Sequence, residues 1–222
     1  MRGLLPAFHF RDLVEARLDM HQADTSQTGF PLLGPLFEPR DFVFKIARTP
    51  AELEGFWGLR RAVFCEEQKI FHGTDEDECD RTMIPIVSLS LVMGMEDEVA
   101  GVVRIDEQQA GVWWGSRLAV RRNYRNLRRL SRSVPVRNRQ PGIYGGRSLG
   151  AGLIYKAVST AQALGCHTFL AHVQHPNAAF FERLHWKPLG QVELYGVTHV
   201  KMEADLDFYP PAEHDLPTRK AG

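Results

Sequence analysis

The segment with the clearest chemical potential joins a strand to a helix through a glycine-containing turn. The strand ends in Leu118-Ala119-Val120, Tyr124-Arg125 follow, and Gly146-Arg147-Ser148-Leu149-Gly150 lead directly into the helix. The first amides of a helix have no helical acceptor, and the positive end of its dipole lies beside them, so this turn can bind a phosphate. A tight turn without a ligand accounts for the same residues, because such motifs are loose. Both interpretations stay open on the turn alone.

The elements before this turn are predicted by hydrophobic spacing. Phe42, Phe44 and Ile46 alternate as in a half-buried strand. Thr49-Pro50-Ala51-Glu52 is typical of a capping box with proline at the first helical position, and the apolar spacing after it predicts a helix to about residue 65. Two strands, 86–95 and 99–105, are predicted to form a hairpin that turns at 96–98. A third strand follows over Val112–Val120.

The elements after the turn complete the fold. The spacing from Leu153 to Leu164, closed by Gly165, predicts a helix. We then expect a strand at 168–173, a helix at 176–184 and strands at 188–194 and 199–205. The order β-α-β-β-β-α-β-α-β-β predicts an α/β (α+β) domain over residues 42–205 with a mixed sheet. Residues 1–41 are expected to form an N-terminal extension and 206–222 a C-terminal tail, which is polar and mobile after Tyr209-Pro210-Pro211.

Composition excludes several classes of protein. The 222 residues carry 27 Lys and Arg against 27 Asp and Glu, so no global charge attracts nucleic acid or an anionic membrane. The longest apolar run, 84–95, is shorter than the roughly 20 residues of a membrane span, and no export signal is visible. Three cysteines without ligand spacing indicate a reducing compartment, the cytoplasm. No cysteine or carboxylate completes a metal set with the histidines at 167, 172 and 175, so no metal is expected.

The strand, turn and helix described first resemble the GNAT superfamily of acetyl-CoA-dependent N-acetyltransferases. The family motif is a strand ending in valine, then Tyr-Arg-Gly-x-Gly-Ile-Gly, then an apolar helix. The matching residues are Val120, Tyr124, Arg125, the segment Gly146 to Gly150, and the helical positions Leu153, Ile154, Ala157, Ala161 and Gly165. A second alignment, Arg147-x-x-Gly150-x-Gly152, fits the Arg-x-x-Gly-x-Gly form but shifts the helical register by two residues. The first alignment is preferred because core-facing residues fix the helix position.

Two further stretches strengthen the resemblance. The segment from Gln174 to Trp186 is similar to a second family signature, an Asn or Gln followed by an aromatic pair, Glu and Leu-Gly-Phe. The segment from Leu59 to Gln68 is similar to the Leu-Arg-x-x-Val-Phe-x-x-Glu-Gln opening of ElaA-like members. More weakly, 172–174, 184–186 and Tyr209-Pro210-Pro211 resemble GNAT proteins of bacterial nitrilase-containing gene clusters.

The resemblance implies a GNAT-like, mostly antiparallel sheet flanked by helices, acetyl-CoA as co-substrate and a small amine as acceptor. It implies that backbone groups of the third meander strand bind the pantetheine arm and the acetyl carbonyl. The implied cofactor-binding residues are Leu118, Ala119, Val120, Arg125, Gly146, Arg147, Ser148, Leu149, Gly150, Ala151, Gln174, Asn177 and Phe181. A homodimer is compatible with the sequence, which does not specify the oligomeric state.

Three features depart from the family pattern. Asn126 to Gly145 is an insertion with five arginines and no acid. It is either a basic lid that reaches a phosphate or a solvated loop, and we expect the loop because long like-charged loops rarely order themselves. Phe181 stands where many members have a tyrosine that protonates the CoA thiolate, and phenylalanine has no such proton. His185 stands where glycine usually follows leucine, a position where a positive φ would be strained.

Acetyl transfer also needs a base that removes the ammonium proton. Glu67 at the end of the first helix and His172 at the end of a strand are the catalytic candidates, although each fits a structural role as well. The acidic run Asp75 to Asp80 lacks the glycine and glutamate of a calcium loop. We expect this run to be a solvated loop or a surface that attracts a cationic amine.

Two functions fit these residues. The first is an acetyltransferase that acts on the amine of a small molecule, and the three ordered signatures favour it. The alternative is a CoA-binding or interaction module with a degenerate, weakly catalytic site. The alternative follows from Phe181 and from the insertion inside the phosphate turn.

Overall fold

The computed structural model describes residues 41–127 and 148–217, in which a seven-stranded sheet lies between helices. The strands are β1 Asp41–Ile46, β2 Ile84–Val92, β3 Met95–Gln109, β4 Val112–Val120, β5 Thr168–Gln174, β6 Trp186–Leu194 and β7 Val197–Ala204. The α-helices are α1 Pro50–Arg60, α2 Leu149–Ala163 and α3 Ala178–Glu182. The spatial order is β1-β2-β3-β4-β5-β7-β6, and only the β4–β5 pair is parallel. The predicted element order and fold class are confirmed.

The sheet buries both faces because side chains alternate along each strand. In β1, Phe42, Phe44 and Ile46 belong to the core against α2, whereas Val43 belongs to the core against α1. Gly152 of α2 sits so close to β1 that an added Cβ would lie 2.4 Å from the ring of Phe44. Glycine therefore permits close packing of α2 on the sheet.

Helix α1 begins as its capping box predicts. The Thr49 hydroxyl accepts from the Glu52 amide at 3.2 Å, and Glu52 Oε2 accepts in return from the Thr49 amide. After Arg60 the chain continues as a π-helix over Arg61–Glu67, in which the Gln68 amide donates to the Val63 carbonyl at 2.9 Å. The predicted end near residue 65 is confirmed.

Two local predictions need correction. The β2–β3 hairpin turns at Met93 and Gly94, both with positive φ, and 96–98 lie within β3. A turn with two positive φ values matches the strand twist, so Gly94 fixes the position of the turn. The predicted helix at 176–184 is a 3₁₀ turn over His175–Asn177 followed by α3. The φ of His185 is +63°, so this non-glycine residue does adopt the strained left-handed conformation.

The prediction of a mobile tail after Pro211 is wrong for residues 212–217, and Tyr209 before them is anchored as well. Tyr209 is 1% exposed and its hydroxyl bonds the Leu184 carbonyl, and Trp186 Nε1 donates to the same hydroxyl at 3.0 Å. Asp215 Oδ2 accepts from the Ile46 amide at 2.8 Å and lies 3.2 Å from Lys156 Nζ. These partners are more than 20 residues away in sequence, so local composition did not reveal them.

Residues 1–40, 128–147 and 218–222 lie outside the described residues. The predicted N-terminal extension, all five arginines of the insertion and the turn residues Gly146 and Arg147 fall there. Within the described part of the chain, no helix is long and apolar enough to cross a membrane.

Candidate active site

A gap opens between β4 and β5, the two parallel strands at the centre of the sheet. They pair from Val112 with Thr168 as far as Gly115 with Ala171 and then separate, although β4 continues to Val120 and β5 to Gln174. A register shift in the β3–β4 ladder coincides with Arg117, whose φ is +53°. A bulge bends its strand, so this one turns β4 away from β5, and on that edge no strand of residues 41–127 or 148–217 pairs with the backbone of β4 beyond Gly115.

A cavity of about 420 Å³ occupies this gap. On the α2 side it is lined by apolar residues of α2 and of the strands and by residues of the segment after β5. On the α1 side it is lined by aromatic and polar residues. The lining residues include Phe64, Phe71, Asp77, Arg104, Trp114, Arg117, Leu118, Ile154, Ala157, His172, Gln174, Asn177, Phe181, Tyr195 and His199. The cavity is therefore lined from both faces of the sheet.

The structure brings part of the implied cofactor-binding set to this cavity. Leu118, Gln174, Asn177 and Phe181 line it. Ala119 is instead buried in the core against α1, and Val120 is half-buried beside the core against α2. Phe181 is 7% exposed and packs edge-on against Trp186, so this position supplies an apolar ring and no ionisable proton.

The predicted phosphate turn ends at the N-terminus of α2. Ser148 is the N-cap residue, and its hydroxyl accepts from the Ala151 amide at 3.2 Å. Leu149 is buried, whereas a Cβ added at Gly150 would meet nothing closer than the Phe180 ring at 3.8 Å. The amides of the first helical turn have no acceptor within the helix, and Gly150 leaves space beside them. A helix start of this kind can bind an anionic group.

Arg125 and Glu67 contact each other rather than the cavity. Arg125 Nη2 lies 2.9 Å from Glu67 Oε2, the Nη1 atom bonds the other oxygen, and Nε donates to the Val120 carbonyl at 2.7 Å. Hydrogen bonding by Arg125 lowers the pKa of Glu67 below its ordinary value. Glu67 is thus an ionised, engaged carboxylate, which makes it a weak proton acceptor.

His172 is the catalytic candidate that lines the cavity. Its ring centroid lies 4.7 Å from that of Trp114. Partial burial, and then the positive charges of His199 and Lys201, lower the pKa of His172 from its ordinary value of 6.5. The imidazole is therefore neutral at pH 7 and able to accept a proton.

The acidic run after the π-helix was expected to be solvated or to attract an amine, and this expectation is wrong for three of its carboxylates. Asp75, Asp77 and Asp80 are bound by arginines of three different elements. This Arg–Asp cluster consists of Arg60, Arg104, Arg117, Asp75, Asp77 and Asp80. Its carboxylates are neutralised internally, so they do not attract an amine.

The cluster also shapes the cavity. Arg104 forms two bonds to Asp77, at 2.6 and 2.7 Å, and donates to the Ser116 hydroxyl at 2.7 Å. Arg117 lies 4.5 Å from the centre of the Phe71 ring. The cluster therefore fixes the segment after the π-helix against β3 and β4. The sequence signal that indicates such a cluster is the presence of two arginines, Arg104 and Arg117, within otherwise apolar strands.

Comparison with known proteins shows which class of proteins has this fold. No family model matches the chain, and no curated protein sequence matches it. A protein from Lactobacillus plantarum assigned as an N-acetyltransferase has a similar structure, with 20% identity over 75% of this chain and 97% of that chain and a TM-score of 0.56. The chain has the mixed α/β fold of the GNAT acyltransferases.

Two other solved structures agree with this assignment of the fold. ElaA from Escherichia coli is 18% identical over 74% of this chain and 99% of that chain, with a TM-score of 0.55. An acyl-CoA N-acyltransferase from Pseudomonas aeruginosa is 18% identical over the same shares, with a TM-score of 0.51. The similarity to ElaA indicated by the segment from Leu59 to Gln68 is therefore confirmed in the fold.

Proposed function

We propose that the protein transfers an acetyl group from acetyl-CoA to the amine of a small molecule. The observation that carries this proposal is the gap between β4 and β5, where a free strand edge and His172 line the same cavity. The similar Pseudomonas aeruginosa structure is an acyl-CoA N-acyltransferase, which supports the donor class. Three free cysteines support the cytoplasm as the compartment.

The two sides of the cavity are suited to different substrates, the CoA donor on one side and the acceptor on the other. On the α2 side, Leu118, Ile154, Ala157 and Asn177 form an apolar channel with one polar end, suited to a pantetheine arm. On the α1 side, Trp114 and His172 line the part left for the acceptor. The free backbone edge of β4 lies between them, where its amides can bind the thioester carbonyl oxygen and stabilise the charge that develops there.

The chemistry requires one proton acceptor and one leaving thiol. His172 removes one proton of the ammonium form of the acceptor, and the neutral nitrogen then forms a bond to the carbonyl carbon of the thioester. The carbon–sulfur bond breaks and its electron pair remains on the CoA sulfur. The second proton that leaves the nitrogen passes through solvent to this sulfur and completes the free thiol. Neutral His172 can accept the proton in the first step. A general base of this kind raises the reaction rate by about 10²–10⁴-fold.

Calorimetric titration with acetyl-CoA, followed by a thiol-release assay over a panel of amines, tests this function. We expect saturable binding and CoA release above the hydrolysis background. Gly150→Glu places a carboxylate beside the amides at the start of α2 and should abolish binding, whereas Gly150→Ala should retain it. If the folded wild type does not bind acetyl-CoA, both hypotheses, the acetyltransferase and the CoA-binding module, are wrong.

His172→Gln tests the base. We expect kcat to fall by about 10²–10⁴-fold with unchanged acetyl-CoA affinity, and we expect wild-type kcat/KM to rise with pH through a pKa below 6.5. His167→Gln is the matched control, because this exposed histidine begins the same segment and does not line the cavity. Equal activity of both variants would exclude His172 as the base.

A further inference from the structure

The α1 side of the cavity is walled by aromatic rings. Phe64, Phe71, Trp114 and Tyr195 line it, and the ring centroids of Phe71 and Tyr195 are 4.7 Å apart. These rings come from the π-helix, the segment after it, β4 and the β6–β7 turn. Arg117 stacks on Phe71 and is bonded to Asp75, so the cluster fixes the Phe71 part of this wall. Such a wall suits an apolar body on the acceptor.

The acidic groups near this wall are already paired. Asp77 lines the cavity, and both its oxygens are bonded by Arg104 while Arg117 also reaches it at 3.0 Å. Asp75 is bound by Arg60 and Arg117. The three arginines and three aspartates of the cluster balance in charge, so it offers an acceptor neither a free anion nor a free cation.

The charged groups that are left to recognise an acceptor are basic side chains of β5 and β7. His172 stands directly opposite Lys201 in the β5–β7 ladder, and Gln174 stands opposite His199. Lys201 Nζ lies 5.4 Å from the centre of the Trp114 ring, the ring that also contacts His172. Across residues 41–127 and 148–217, no carboxylate forms an ion pair with Lys201, and Glu203 two positions along β7 is opposite Leu170 instead.

These positions define two functional groups on one small molecule. Residues directly opposite in antiparallel strands have Cβ atoms about 4.5–5.5 Å apart. His172 and Lys201 start from neighbouring Cβ atoms and both contact the Trp114 ring, so they can face an amine and a carboxylate of the same small molecule. The aromatic wall beside Trp114 lies next to both.

We propose that the acceptor is an amine that also carries a carboxylate, an amino acid with an apolar side chain. Lys201 pairs with its carboxylate, His172 takes the proton of its amine, and the aromatic wall receives its side chain. The inference rests on the proposed acyl transfer: acetyl-CoA and the amino acid become an N-acetyl amino acid and CoA, with one ammonium proton passing to His172 and the other to the CoA sulfur.

Three acceptors with acetyl-CoA as donor test this inference by thiol release. Phenylalanine carries all the recognised groups, phenethylamine lacks only the carboxylate, and glycine lacks the apolar side chain. We expect the wild-type kcat/KM for phenylalanine to exceed that for each of the other two by about tenfold or more. Equal or better use of phenethylamine would overturn the inference and leave the proposed acyl transfer intact. No release with any acceptor would overturn both.

Variants assign the preference to one side chain. Lys201→Met should raise KM for phenylalanine by about tenfold and remove most of the preference for phenylalanine over phenethylamine, whereas Lys201→Arg should keep the preference. Lys187→Met is the matched control, because Lys187 is at an exposed position of β6 and stands opposite Glu203 rather than His172; it should change neither the KM nor the preference. An equal loss with both acceptors in Lys201→Met would exclude the proposed carboxylate contact.

Discussion

Replacing Arg60 by methionine tests whether the Arg–Asp cluster stabilises the fold. The Arg60 side chain is 0% exposed; its Nε lies 2.8 Å from Asp75 Oδ2, and its Nη1 lies 2.6 Å from Asp80 Oδ1. Its guanidinium also lies 4.4 Å from the centre of the Trp57 ring. Methionine has a similar length and no charge, so Arg60→Met removes these contacts without leaving a large cavity.

The magnitude follows from the partners left behind. Removing one member of a buried ion pair costs about 3–5 kcal/mol, because it leaves an uncompensated charge. Asp75 keeps Arg117 and Asp80 keeps Arg104, so the lower end applies, about 3 kcal/mol.

The pKa of Asp80 gives an independent check. Burial alone would raise this pKa, but hydrogen bonds from Arg60 and Arg104 hold it at about 2 against an ordinary value of 3.8. That depression corresponds to about 2 kcal/mol of stability, present above pH 3.8 and lost as the pH falls towards 2. Arg60 supplies part of it, and its bond to Asp75 supplies more.

Urea unfolding at pH 7 measures the effect through the midpoint, with the m-value unchanged. We expect Arg60→Met to lower the free energy of unfolding by about 3 kcal/mol and Arg60→Lys, which keeps a charge, by less. Arg81→Met is the control: Arg81 pairs with Glu78 at the surface, with both side chains more than 70% exposed, and the expected change is under about 1 kcal/mol. A loss below about 1 kcal/mol in Arg60→Met would refute the reasoning.

Two further predictions concern packing and the C-terminal segment. Gly152→Ala should lower the free energy of unfolding by about 1–3 kcal/mol, because its Cβ has no room against β1, while Gly150→Ala should cause no loss; equal urea midpoints would contradict this. Asp215→Ala should cost about 3 kcal/mol, since it leaves the fully buried Lys156 without its carboxylate, and the exposed Glu213→Ala should change stability by less than about 0.5 kcal/mol. Loss of similar size in both variants would show that the Lys156 pair is not the cause.

The extent of prediction differed between the fold and the site. Alternation at Phe42, Phe44 and Ile46 and the capping box at Thr49 were sufficient to locate β1 and α1, because both signals lie within a few residues. Among the residues that line the cavity, Gln174 ends β5, and Asn177 and Phe181 come shortly after it. One stretch of sequence was therefore enough to predict all three as candidates. By contrast, the roles of Glu67 and of Asp75 to Asp80 depend on the arginines that bind them. These arginines are distant in sequence, so the local sequence did not reveal them.

The sequence by itself determined the order of elements, the class of fold and the side chains at the end of β5, since periodicity and capping are local. Only the tertiary structure decided which charges meet. Arg104 reaches Asp77 across 27 residues, Arg125 reaches Glu67 across 58, and Arg48 reaches Asp215 across 167. It also decided where β4 and β5 separate, because strand register and the bulge at Arg117 depend on the whole sheet. Periodicity identifies the face on which a residue lies, whereas its partner on that face is set by the packing of distant segments.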